Sequence, residues 1–197
     1  MDYRTYHSIN EFFADHTWLA HLFSALEGVL PVLLGVATFA LWLFDRPGGG
    51  HKWKLASASA LAAGALGLLV NRIVAAFWDR ARPYETHPGA HVWGGRSHDP
   101  SFPSDHASAA FGIAFAIFLF DRVVGGIFLI AAVLISAGRV FVGAHYPADV
   151  LAGCAIGIGC ALVVVRLARP FLAACVRLVE RLTDPLVAPA WRLFERR

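Results

Sequence analysis

Long apolar runs alternate with short polar breaks along this chain. Five runs, at about 18–44, 54–78, 104–120, 123–142 and 147–168, are long and apolar enough to be membrane-crossing helices. The third is the shortest and lies near the lower length limit for crossing the hydrocarbon core. The punctuation agrees with these bounds. Pro47-Gly48-Gly49-Gly50 separates the first two runs, and Asp121-Arg122 makes a tight turn between the third and fourth. Segments 3–14 and 171–194 mix apolar and charged residues and read as interfacial helices. In the second of these, Leu172, Val176, Val179, Leu182 and Leu186 recur at helical spacing, with Arg177, Glu180 and Arg181 between them. Pro185 and Pro189 argue against an unbroken sixth span. The pattern predicts an all-α fold: a polytopic transmembrane helical bundle of about five spans, with amphipathic helices at both ends. It reads as one domain over 1–197, with its polar motifs in 72–149 and an amphipathic tail at 171–197.

Composition strengthens the membrane assignment. Of 197 residues, 57% are hydrophobic and only 16% charged, too little polar surface for a water-soluble fold. The net charge of +3 does not point to nucleic acid, because many Lys and Arg flank apolar runs instead of sharing a polar face. Cys154, Cys160 and Cys175 have no metal-ligand spacing and read as packing residues. Met1-Asp2-Tyr3-Arg4 lacks the basic start and cleavage pattern of a removable signal peptide. Charge also sets an expected orientation. Arg46, Lys52, Lys54, Arg122, Arg169, Arg177, Arg181, Arg192, Arg196 and Arg197 fall on one side, against Arg80, Arg82 and Arg96 on the other. The positive-inside rule makes the first side, with the C-terminus, cytoplasmic. The loop at 79–103 and the turn at 143–147 then face outward.

Those outward places hold three polar clusters: Arg82-Pro83, Pro103-Ser104-Asp105-His106, and Arg139 followed by His145 and Asp149. Ser104 stands where an N-cap would open the third span, and free backbone N–H groups behind it make an anion site. Arg82 and Arg139 can donate bidentate hydrogen bonds to phosphate oxygens. His145 and Asp149, at i and i+4, can share a hydrogen bond that fixes the imidazole tautomer and frees its other nitrogen as a nucleophile. Singly, each has a plain structural explanation: a capping serine, a local His–Asp cap, arginines anchoring span ends. Gathered on one face, they suit a phosphate and an attack on phosphorus. Glu27, inside the first span, is a further candidate, expected to contact Arg82 or a catalytic water. Asn71 and Arg72 read as polar packing or a snorkelling anchor. His87, His91 and His98 fit no tight zinc motif. Gly153 and Gly157 form a small-residue face suited to close packing within the monomer.

The three clusters, in this order and spacing, resemble the three motifs of the type 2 phosphatidic acid phosphatase superfamily: Lys-x6-Arg-Pro, Pro-Ser-Gly-His and Ser-Arg-x5-His-x3-Asp. Within it, Ser101-Phe102-Pro103-Ser104-Asp105-His106 is most similar to undecaprenyl-diphosphatases of the bacitracin-resistance type, which carry Asp where the broader motif has Gly. The resemblance implies that Arg82, Ser104, His106 and Arg139 bind the transferring phosphoryl group, and Asp105 falls in the same phosphate-binding block. It implies His145 as nucleophile, Asp149 as its orienting partner and His106 as general acid and then base, with no metal or other cofactor. The implied substrate is a polyprenyl diphosphate in the plasma membrane of a bacterium, met from the extracytoplasmic side. Two positions depart from the motifs. The lysine falls at Ala75, with Arg72 and Arg80 as candidate replacements, and the serine before Arg139 is Gly138.

Several other functions fit the same residues. A phosphatidic acid or phosphatidylglycerol-phosphate phosphatase would share the phosphate site. A transporter or scaffold would keep the site without its chemistry, which an intact His106, His145 and Asp149 argues against. A zinc-dependent hydrolase would lose activity to a chelator. Nothing in the pattern fixes an oligomeric state.

Overall fold

A computed structural model describes residues 2–195 except Arg46 and Gly48, without the side chains of residues 187, 190 and 192–195. Arg46, Arg196 and Arg197, counted above for orientation, lie outside the described residues, as does the side chain of Arg192. The described chain is helical: α1 (Asp2–Asp15), α2 (Thr17–Ala40, continued by a 3-10 turn at Leu41–Phe44), α3 (Lys52–Phe77), α4 (Pro83–Thr86), α5 (Asp105–Phe120), α6 (Arg122–Phe141), α7 (Pro147–Val163) and α8 (Arg169–Glu195). A π-helical segment, Val164–Ala168, joins the last two. Of the five expected spans, those matching α2, α3, α6 and the run from α7 into α8 are long and apolar enough to cross a membrane, whereas the third is the shorter apolar helix α5.

The centre of the bundle is α5, packed against α3, α6 and α7. Small residues on α5 let its neighbours come close, with Ala107, Ala110, Ala114 and Ala116 all buried. A Cβ added at Gly112 would meet the Ala63 carbonyl at 3.0 Å, and one at Gly153 would meet the Ser104 carbonyl at 2.6 Å. Gly153 and Gly157 therefore pack α7 onto α5 of the same chain, as expected from their spacing. Asp121 ends α5 and caps α6, its Oδ1 accepting from the N–H groups of Val123 and Val124 at 3.1 Å each. That local closure accounts for a one-residue turn.

The C-terminal segment differs from its expected pattern in two ways. Helix α8 runs through Pro185 and Pro189 without ending. Its apolar stripe also splits: Val176 faces the bundle, while Val179, Leu182 and Leu186 are exposed. The cause is Lys54, buried at the start of α3, whose ammonium is 2.7 Å from Asp184 and 3.1 Å from Glu180. A buried ammonium needs carboxylate partners, so it turns the acidic face of α8 inward and leaves the leucines outside. His51 adds a contact to Glu180 at 2.7 Å. These pairs lie at the end of the bundle opposite the polar motifs.

Candidate active site

At the other end, the starts of α4, α5 and α7 and the end of α6 bring the three motifs together. The turn after α6 is tied back to its last helical turn, because the N–H groups of Ala144 and His145 both donate to the Arg139 carbonyl, at 3.0 and 3.2 Å. Gly143 makes this possible with φ of +81°, a conformation costly for residues with a Cβ. The turn throws His145 into the interior, where only 2% of it is exposed.

The hydrogen bonds of His145 define its chemistry. Its Nδ1 lies 2.8 Å from the Ser101 carbonyl, which can only accept, so Nδ1 carries the proton. Nε2 is then a lone pair, accepting from Arg82 Nη1 at 3.2 Å. Burial lowers the imidazole pKa to about 4; Asp149 opposes this shift, whereas Arg139 and Arg82 add to it. A neutral ring at pH 7 is a ring able to attack.

The link from His145 to Asp149 runs through a third residue. The direct Nδ1–Oδ2 separation is 3.8 Å, too long for the shared hydrogen bond expected from the i, i+4 spacing. Instead the Ser101 hydroxyl donates to Asp149 Oδ2 at 2.5 Å and lies 3.5 Å from His145 Nδ1. Asp149 also accepts the Tyr146 N–H at 3.0 Å, so it caps α7 as well as serving the site. Its Oδ1 accepts from Arg80 Nη1 at 2.6 Å. Ser101 thus joins the site on structural grounds. Its only signal in the sequence was adjacency to the Pro103 block.

The phosphate-binding candidates separate in the structure. Arg82 is aimed by Nε donation to the Asp99 carbonyl at 2.9 Å and by Nη1 donation to the Ala144 carbonyl at 3.2 Å. Arg139 is buried and pairs with Glu27, so Glu27 meets that arginine and not Arg82. Ser104 stands at the N-cap of α5, but its hydroxyl caps nothing; its N–H donates to the Asp149 carbonyl at 3.0 Å. Ser104 Oγ and Arg139 Nε are both buried donors without a partner among the described residues. Such atoms cost roughly 1–3 kcal/mol each unless a ligand satisfies them. His106, the second residue of α5, has no hydrogen bond to its ring among the described residues and lies within electrostatic reach of Arg82.

Three candidates are placed elsewhere. Asp105 accepts from Asn71 at 2.8 Å, and Asn71 accepts from the Ser108 hydroxyl at 3.0 Å, so this carboxylate braces α5 against α3. A carboxylate has no proton to give a phosphate anion, which fits a bracing role. Arg72 is 64% exposed and faces Asp99 at 3.6 Å, away from the cluster. Arg80 serves Asp149 and Asp2, not the place left by the lysine at Ala75. Two of the three loop histidines are occupied by rings: His87 stacks on Tyr3 at 3.7 Å and His91 on Trp93 at 5.7 Å.

The buried imidazole carries a stability consequence. The unfolded chain takes up a proton near pH 6.5, but folded His145 does so only near pH 4. Between those values the unfolded state binds more protons, so stability falls as pH drops from 6.5 toward 4. Thermal melts across that range should show the decline, and His145→Gln should remove its share.

A bundle of apolar spans around a neutral buried histidine and paired arginines defines a class, the multi-pass membrane phosphatases. The chain belongs to the PAP2 superfamily, whose family model matches residues 55–172. It is 29% identical to the undecaprenyl-diphosphatase BcrC of Bacillus subtilis over 170 residues, covering 81% of this chain and 86% of the relative. A lipid A 1-phosphatase of Rhizobium johnstonii is 42% identical over 97 residues, 46% of this chain and 38% of that one. The crystal structure of Aquifex aeolicus LpxE superposes with a TM-score of 0.70 at 23% identity, covering 84% of this chain and 94% of that one. That last likeness is one of fold.

Proposed function

We propose that the protein hydrolyses undecaprenyl diphosphate to undecaprenyl phosphate and inorganic phosphate, recycling a cell-wall carrier lipid. The observation that carries the chemistry is the tautomer of His145, with Nδ1 committed to the Ser101 carbonyl and the lone pair on Nε2, where Arg82 donates until substrate takes up that arginine. Nε2 attacks the terminal phosphorus in line, the bond to the bridging oxygen breaks, and the lipid monophosphate leaves. Arg82, Arg139, Ser104 and the N-terminal N–H groups of α5 hold the three equatorial oxygens. His106 then takes a proton from water, whose oxygen attacks the phosphohistidine and releases phosphate and His145. The leaving group of a diphosphate is itself an anion stable at neutral pH, so His106 matters most in the second displacement. Charge neutralisation falls to the arginines and the helix terminus, and turnover is expected to persist in EDTA.

The substrate assignment is supported by the long match to the diphosphatase relative, which covers most of both chains. The lipid A phosphatase relative matches over a shorter stretch. The basic residues around α8 and the α5–α6 turn support an orientation with that end in the cytoplasm and the site on the extracytoplasmic face.

The test is phosphate release by purified protein in detergent from undecaprenyl diphosphate, lipid A, phosphatidic acid and phosphatidylglycerol phosphate, with EDTA present. Preference for the diphosphate is expected; a higher kcat/KM on any other lipid would overturn the substrate assignment. The acid limb of the pH–rate profile should fall near pH 4, where His145 protonates, and not near 6.5.

A further inference from the structure

Helix α1 was expected only to lie on the membrane surface, yet one of its faces is bound into the site. Tyr6 donates its hydroxyl to the Gly143 carbonyl at 3.4 Å, on the turn that carries His145. The Asn10 amide clamps His91, donating to its carbonyl at 2.8 Å and accepting its N–H at 2.9 Å. Asp2 completes the row at i, i+4, i+8. This helix precedes the segment matched by the family model.

Arg80 connects that helix to the nucleophile. Its guanidinium sits 4.0 Å over the Tyr146 ring, which fixes its plane. Nη1 donates to Asp149 Oδ1 and Nη2 to Asp2 Oδ2, each at 2.6 Å. Asp2 Oδ1 accepts the Ala148 N–H at 3.1 Å, in the first turn of α7. The Arg80 carbonyl accepts the Ser101 N–H at 2.7 Å, so the same residue also sets the serine between Asp149 and His145.

We propose that Asp2 and Arg80 are positioning residues for the nucleophile, acting through Asp149 and Ser101 on His145. This rests on the reading of His145 as the attacking group. Asp149 is fully buried, and a buried carboxylate needs a counter-charge to hold its place. Arg80 supplies it. Held by Arg80 alone, however, Asp149 would have much of its charge neutralised and would do less to stabilise the cationic imidazole formed on attack. Asp2 shares the guanidinium and so leaves Asp149 with more of its field. The charges that act on His145 are then Asp149, Arg82 and Arg139 directly, and Arg80 and Asp2 behind Asp149.

The experiment uses the full chain in detergent and whichever lipid phosphate of the panel above it hydrolyses fastest. Asp2→Asn, Arg80→Gln and Arg80→Lys are compared with Asn10→Ala, which loosens α1 without touching Arg80, and with His145→Gln. Asp2→Asn and Arg80→Gln should lower kcat on the order of tenfold or more, with KM within about twofold. Their acid limbs should move in opposite directions: upward for Arg80→Gln, which removes a cation, and downward for Asp2→Asn, which removes an anion. Arg80→Lys should recover part of the lost kcat, and it replaces Arg80→Gln if that variant does not fold. Wild-type kcat in both Asp2→Asn and Arg80→Gln, beside an inactive His145→Gln, would overturn the positioning role alone. So would losses that follow melting temperature as in Asn10→Ala, with the acid limb unmoved. Full turnover in His145→Gln would overturn the nucleophile assignment and this role with it.

Discussion

His145→Gln should lower turnover by about ten-thousand-fold or more while the protein remains folded. The side chain is 2% exposed and its Nδ1 is bonded to the Ser101 carbonyl, a bond that a glutamine N–H can replace. What glutamine lacks is the Nε2 lone pair. On the proposed mechanism, removing it would delete the covalent route and leave only Arg82 and Arg139 to assist direct attack by water. The measurement is kcat together with a thermal melt, so that loss of chemistry is read apart from loss of fold. Rapid acid or base quench adds a second readout, because a phosphohistidine is labile in acid and survives in base. Base-stable label trapped on the wild type should vanish in the variant. Wild-type turnover in His145→Gln would replace the covalent mechanism by direct hydrolysis.

Gly157→Val should abolish folding. At this position a Cβ would run into the Ser108 carbonyl oxygen and would stand 2.7 Å from the Gly112 nitrogen, both backbone atoms of α5. Backbone at a helix–helix crossing cannot swing aside as a side-chain tip can, so α7 would have to leave α5. That separation would carry Asp149 away from Ser104, whose N–H is bonded to the Asp149 carbonyl. The cost should exceed about 4 kcal/mol, the range of severe core disruptions. Gly159→Val is the control, because a Cβ there meets nothing within 4 Å. Size-exclusion chromatography of the two variants in detergent should give a monodisperse peak for Gly159→Val only. A folded, active Gly157→Val would show that the α5–α7 contact is adaptable.

The spans were legible because lipid imposes a long apolar pattern that no soluble loop imitates. Helix α5, for example, was bounded by Pro103-Ser104 and Asp121; the second boundary follows from the Asp121 cap, whereas at the first the serine hydroxyl caps nothing. Ser101 was not legible as the link between Asp149 and His145, because a serine in a polar loop has no pattern of its own. Its role depends on three segments meeting. The role of Arg80 was hidden for the same reason: its two carboxylate partners lie 78 positions before it and 69 after it. Arg72, closer to the expected lysine position, was the more natural candidate by sequence, yet α3 points it outward toward Asp99. On α8, spacing shows which residues share a face. It does not show that Lys54 would draw the acidic face inward.

The shortness of α5 has its own effect on catalysis. Its 16 residues rise only about 24 Å, short of the ~30 Å hydrocarbon core. Because α3, α6 and α7 enclose it, lipid does not have to thin around the shortfall. The one-residue turn at Asp121 holds one end of α5 level with the start of α6, so the deficit is expected at the Ser104 end. An anion bound there would rest deeper than at a helix of full length and would lose more of its hydration. There the local dielectric constant is lower than in bulk water, so each arginine and backbone N–H acts on it more strongly than at the surface. A helix one turn longer would raise the same residues into solvent and weaken them without changing any of their identities.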